Sequence, residues 1–313
     1  MIPIFPEFKK LEYSDKSEVE EITRKYYPYS DFNFISMWSW NILGKIEISK
    51  INGNLATLFT DYITDEPFYS FIGNNKVVET AISLIDFSEE MGDDAQLKLI
   101  PEVAAEKIST EAGLMVTEDL DNFDYMYQLE KLRTYDGNKL RGRRNLSTRF
   151  QKGFLKNSYI KILNPIDMDE RKEIFGLLET WVSMKKTDIN ENEFEAIKRA
   201  MNIEGPQDLV FVGLFINEIL SGFVINEILK DEHVILHFEK ADLNYVGVYS
   251  YLMQENAKIL YNFGKRVLNY EQDLGLPGLR LAKKAYYPSH YLKKYIISRR
   301  PLPQLPKIEG ESV

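Results

Sequence analysis

The chain has 313 residues, 44% of them hydrophobic and 28% charged, and a net charge of −9. That is enough length for two domains and an ordinary globular balance, with no general attraction for nucleic acid or anionic lipid. The absence of cysteine excludes disulfides, thiolate-bound metals and a cysteine nucleophile, and three histidines are too few for a histidine-rich metal site, so no metal is expected. No apolar run approaches the ~20 residues that span a bilayer. The opening Met1-Ile-Pro-Ile-Phe-Pro6 lacks a signal-peptide pattern, so a cytoplasmic location is expected.

In chain order, residues 17–27 read as a helix opened by Ser17, and residues 31–40 as an aromatic helix capped by Asp31. Alternating or apolar runs at 45–49 and 55–60, separated by Asn52-Gly-Asn54, signal a hairpin. A strand at 68–72, a helix at 77–91, a strand at 96–100 and a short helix at 102–108 follow. Runs at 115–118 and 125–129 are expected to close the sheet. The second half repeats this order. It has helices at 169–183 and 193–201, a hairpin of 209–216 and 219–229, then a strand at 234–240, a helix ending near Phe263 before Gly264, a strand at 266–273 and a basic helix. The order supports two copies of one α+β architecture, spanning 1–135 and 136–300, with an extended tail at 301–313.

Three stretches carry polar chemistry. Between the halves, 139–152 holds Lys139, Arg141, Arg143, Arg144, Arg149 and Lys152 with no acidic residue. Arg141 and Arg144 share a helical face, where clustered guanidinium groups suit phosphate or carboxylate. The plainer reading is a solvated helix paired with the surplus Asp and Glu. In the strand 234–240, alternation sets Val234, Leu236 and Phe238 on one face and Ile235, His237 and Glu239 on the other. In the strand 266–273, Val267, Asn269, Glu271 and Asp273 share a face. A strand–helix–strand unit of this size implies parallel neighbours, with ligands gathering where the strands end.

Taken together, Asp31-Phe-Asn-Phe34, Lys139-Leu-Arg-Gly-Arg-Arg-Asn145, His237-Phe-Glu-Lys-Ala-Asp242 with Gly247, Asn269-Tyr-Glu-Gln-Asp-Leu-Gly275 and Gly278-Leu-Arg-Leu-Ala-Lys283 resemble a bacterial family. It is the family similar to the C-terminal domain of phosphatidylglycerol lysyltransferase. The resemblance implies a tandem of two GNAT-like (N-acetyltransferase-type) domains, each a mixed sheet flanked by helices. Membrane-bound relatives move lysine from lysyl-tRNA to a lipid headgroup; many other members have no assigned reaction.

On that scaffold the splayed parallel strands would hold donor and acceptor. Asn244, Tyr245, Gly247 and Tyr249 match the donor-phosphate loop, although the glycine-rich pyrophosphate signature is reduced to one glycine. Glu239 and Glu271 are the candidate catalytic carboxylates. His237, Asn269, Asp273, Arg141, Arg144 and Arg280 are the candidate substrate-binding residues. The bland alternatives are a structural histidine, an ion pair of Glu239 with Lys240 or an arginine of 139–152, and a solvated face for Arg280 and Lys283. The expected activity is acyl transfer, aminoacyl transfer included, to an amine or hydroxyl by direct attack. An acyl-coenzyme A or an aminoacyl-tRNA would be the donor, and the basic run a site for tRNA. The other reading is a non-catalytic protein sensing an acyl, aminoacyl or peptide-like ligand.

Overall fold

The computed structural model describes residues 1–61, 64–108, 113–184, 188–203 and 208–300. The tail expected at 301–313 lies outside them. The chain runs β1 (Lys9–Lys10), α1 (Lys16–Thr23), α2 (Phe34–Trp40), β2 (Glu47–Ile51), β3 (Asn54–Thr60), β4 (Pro67–Ile72), α3 (Val77–Met91), β5 (Gln96–Pro101), α4 (Glu102–Ala105) and β6 (Leu114–Glu118). It continues β7 (Asp124–Gln128), α5 (Leu129–Thr134), α6 (Arg141–Phe154), β8 (Ser158–Leu163), α7 (Met168–Met184), α8 (Asp188–Met201), β9 (Leu209–Ile216) and β10 (Ile219–Ile228). Last come β11 (His233–Ala241), α9 (Val248–Asn262), β12 (Val267–Asn269), α10 (Pro277–Lys284), β13 (His290–Leu292) and β14 (Lys294–Arg299).

Two seven-stranded mixed sheets result, ordered β1-β2-β3-β4-β5-β14-β6 and β13-β7-β12-β11-β10-β9-β8. This is the expected α+β class with helices flanking each sheet, consistent with tandem GNAT-like domains. The hairpin at Asn52-Gly53 forms, both residues having positive φ as a tight two-residue turn requires. Each sheet holds one parallel pair bridged by a helix, β4–α3–β5 and β11–α9–β12.

The sheets also exchange strands. β7, expected to close the first sheet, instead pairs with β12 and β13 in the second. Its alternation explains this: Tyr125 and Tyr127 pack into the aromatic core behind the second sheet, while buried Asp124 faces Lys294. In return β14 enters the first sheet between β5 and β6. The edge strand β8, unanticipated above, pairs antiparallel with β9.

Three apolar layers follow from this arrangement. One packs α3 against the outer face of the first sheet, and one packs α5, α6 and α9 against the second. The third is shared: Ile48, Phe59 and Phe68 of the first sheet join Phe211, Phe223 and Phe238 of the second through α2, α7 and α8. At about 1.5–3 kcal/mol for each buried large side chain, this layer binds the two sheets into one body. Helix α2 is capped by Asn33, which accepts from the Ser36 amide at 3.0 Å. Asp31, expected as that cap, is drawn away by Lys294.

Candidate active site between the two sheets

The parallel pairing of β11 and β12 stops at Ile235 and Asn269. Beyond that register the strands part, and a cavity of about 510 Å³ opens between the two sheets. Phe59, Phe68 and Lys98 line it from the first sheet, Ser36, Met37 and Trp40 from α2, and His237, Glu239, Tyr270 and Glu271 from the parted strands. Its acidic lining residues (Asp31, Asp61, Asp119, Asp121, Glu193, Glu239 and Glu271) outnumber the lysines Lys98, Lys240 and Lys283.

A β-bulge shapes the site. Along the β10–β11 ladder, Phe238 pairs with Ile225 and Leu236 with Asn226, so His237 is the extra residue. A bulge bends a strand and re-aims its side chains. Val234 and Leu236 accordingly pack in the core behind the second sheet, whereas Phe238 packs in the layer between the sheets. The strict alternation expected over 234–240 is broken. His237 and Glu239 therefore do not act as a same-face pair: His237 meets Ser36 of the shared layer, and Glu239 meets Tyr270.

Glu239 is 8% exposed. The Tyr270 hydroxyl donates to its Oε2, and its buried Oε1 accepts no hydrogen bond among the described residues. Burial pushes its carboxyl up to about 7, against the opposing pull of the Tyr270 hydrogen bond and of Lys240, Arg143 and Lys283. Glu239 forms no ion pair among the described residues. Lys240 instead pairs with Glu193 at 2.6 Å and lies 4.1 Å over the Trp181 ring.

Glu271 sits at φ +54, a left-handed conformation that costs a non-glycine residue energy and is held by its surroundings. The Asn269 side chain does the holding, accepting from the Glu271 amide at 2.7 Å. Glu271 Oε1 then lies 3.1 Å from His237 Nδ1, whose Nε2 is 2.9 Å from Glu227. Burial would strip the proton from His237, but the two carboxylates prevail and raise the ring to about 9. The ring is thus an imidazolium clamped between Glu227 and Glu271.

Lys283 is buried and lines the cavity, held by the carbonyls of Tyr270 and Gln272. Burial lowers its amine to about 8. At the floor, Asp31 faces the cavity and pairs with Lys294, which also bonds Asp124 at 2.7 Å. Burial raises Asp31 to about 6, against the pull of Lys294.

The remaining expected site residues lie elsewhere. Asn269 and Asp273 are fully buried and do not line the cavity. Asn269 bonds the Pro28 carbonyl at 2.7 Å, and Asp273 holds Arg280 at 2.7 Å and the Tyr125 hydroxyl at 2.5 Å. Arg280 also pairs with Asp121 at 2.5 Å, so its charge is already matched. Arg141 and Arg149 are exposed on α6, and Arg144 bonds the carbonyls of Tyr135 and Gly137. None of the three lines the cavity. Arg143 of the same helix lies 4.3 Å over the Tyr286 ring, and its charge acts on Glu239.

The expected phosphate loop is committed internally in part. The Asn244 and Tyr245 amides donate to the Asp242 side chain and carbonyl, and the Tyr249 hydroxyl accepts from the Ala241 amide. Gly247, at φ +88, does allow a close backbone approach, but by α6: a Cβ there would lie 2.2 Å from the Leu146 carbonyl oxygen.

Sequence pattern alone does not place Asp31, Ser36, Tyr270 and Gln272 in the site. Asp31 reads as a helix cap, and Tyr270 reads as mid-strand in a strand running to 273. The strand–turn boundary at Asn269 is the signal that would find it. Among the described residues no helix is long and apolar enough to cross a membrane, and no cluster of three or more His, Asp or Glu could hold a metal ion.

The model of the family described as phosphatidylglycerol lysyltransferase, C-terminal, matches residues 44–298. An uncharacterized protein of Mycoplasmoides gallisepticum is 22% identical over 175 residues, which is 56% of this chain and 55% of that protein. The match thus spans about half the length of that curated relative. A conserved protein of unknown function from Bacteroides thetaiotaomicron superposes with a TM-score of 0.78 at 24% identity, over 95% of this chain and 99% of that one. L-PGS from Bacillus licheniformis superposes with a TM-score of 0.61 at 12% identity, over 95% of this chain and 94% of its own.

Proposed function

Since the chain belongs to the family of the phosphatidylglycerol lysyltransferase C-terminal domain, we propose that its inter-sheet cavity transfers an acyl or aminoacyl group to an amine or hydroxyl acceptor. The acceptor attacks the donor carbonyl directly. Its proton passes to Glu239, the donor C–O or C–S bond breaks as the new amide or ester forms, and the proton follows the leaving group. The observation that carries this reading is the carboxylate of Glu239, a residue of the cavity lining whose buried Oε1 accepts no hydrogen bond among the described residues. A carboxyl raised to about 7 is matched to proton abstraction near neutral pH. Lys283 supplies positive charge for the developing oxyanion, and the acidic lining suits an ammonium-bearing substrate.

The internal bonds of the Asn244 and Tyr245 amides and the packing of α6 against Gly247 favour an aminoacyl-tRNA over a coenzyme A thioester. The basic run supports the same donor: none of Lys139, Arg141, Arg143, Arg144, Arg149 and Lys152 forms an ion pair among the described residues. If α6 meets tRNA, affinity falls steeply with salt through counterion release. Salt-independent binding would remove that role.

The test is transfer from a radiolabelled aminoacyl-tRNA pool, and separately from acetyl-coenzyme A, to hydroxylamine as a surrogate acceptor. The wild type transfers from the tRNA pool and Glu239→Gln loses about a hundredfold or more without a fall in Tm. Equal rates in both proteins would remove Glu239 from the chemistry. Ligand-induced stabilisation with no turnover from either donor would mark a sensing protein instead.

A further inference from the structure

A second, smaller cavity of about 180 Å³ opens on the other side of the clamped histidine. Its walls are aromatic, with Tyr26, Tyr27 and Phe34 among them, and Glu227 lines it from β10. Glu227 is 1% exposed, and its Oε2 holds His237 Nε2 at 2.9 Å. Its Oε1 accepts no hydrogen bond among the described residues. His237 lines the large cavity and Glu227 the small one, so a single hydrogen bond spans the wall between them.

From this arrangement we propose that the smaller cavity is a binding site for a small alkylammonium ion, seated against Glu227 and linked through His237 to the large cavity. The chemistry follows from the lining. A carboxylate buried among aromatic rings attracts a cation by charge, and the ring faces add cation–π attraction. The volume admits only a few heavy atoms. Of the two cations that line it among the described residues, Arg24 is already paired with Glu20 at 2.8 Å, and Lys230 is exposed and forms no ion pair with Glu227. An ammonium at Glu227 competes with the His237 N–H for the same carboxylate, so occupancy is felt at Glu271 on the far side. The inference is independent of the reaction proposed for the large cavity.

Titration of the full chain with methylammonium chloride, against sodium chloride at matched ionic strength, tests it by NMR. Saturable shifts are expected at the Tyr26 and Tyr27 rings and at the His237 ring nitrogens, with methylammonium only. Glu227→Gln weakens the affinity by about tenfold or more. Should that buried substitution impair folding, Tyr27→Ala, at a residue 64% exposed, leaves the fold intact and weakens binding about threefold or more. Shifts that never saturate, that sodium reproduces, or that survive both substitutions unchanged would overturn the site.

Discussion

The two helix-bridged parallel pairs, β4–α3–β5 and β11–α9–β12, are the same device put to different ends. In the first, Ser70 closes the strand gap by donating to the Lys98 carbonyl at 2.6 Å, and Phe68, Tyr69 and Phe71 fill the neighbouring space with apolar packing. In the second, the pairing ends after three residues and the gap is bridged by side chains, Tyr270 to Glu239 and Glu271 to His237. A fold does not bring chemistry with it; ionisable groups held in the gap do. The first unit becomes a wall of the cavity and the second its ionisable face.

That contrast can be broken most severely at the tie between the two sheets. Lys294→Met leaves Asp31 and Asp124 buried without their cation. The expected loss is about 3–5 kcal/mol, read as a fall in denaturation midpoint. A loss below about 1 kcal/mol would mean that this ion cluster adds little to the tie between the sheets.

A smaller effect is expected at the clamped imidazolium. His237 is raised in the folded state to about 9, above its ordinary 6.5. Its contribution is therefore fully present below about pH 6.5 and lost as pH rises through about 9, on the order of 3 kcal/mol. Stability measured from pH 6 to 10 should show this decline in the wild type and not in His237→Gln. A parallel decline in both proteins would place the titrating group elsewhere. The smallest change belongs to the first unit: Ser70→Ala removes one buried hydrogen bond, costing about 1 kcal/mol, with ligand response at the large cavity unchanged. A lost response would mean that the first unit carries a site of its own.

Much of this contrast is legible in the residues. Val267-Leu-Asn269 after a helix stopped at Gly264 reads as a parallel strand, and Glu239 and Glu271 stand out as carboxylates on interior strands, where a charge needs a reason. What local pattern does not carry is tertiary. The bulge at His237 depends on how β10 and β11 register, so alternation alone gave it the wrong companions. Lys294 and Asp31 lie far apart in sequence and meet only because β14 crosses to the other sheet. The α6 arginines look like site residues by composition, whereas packing against Gly247 and Tyr286 fixes their helix outside the cavity.

The central claim is that Glu239 is a water-shielded base. A ¹³C-carboxyl NMR titration, with the Glu239 signal assigned by its disappearance in Glu239→Gln, measures this directly. Burial predicts a midpoint at about 7; titration near the ordinary glutamate value of about 4.3 would contradict the account.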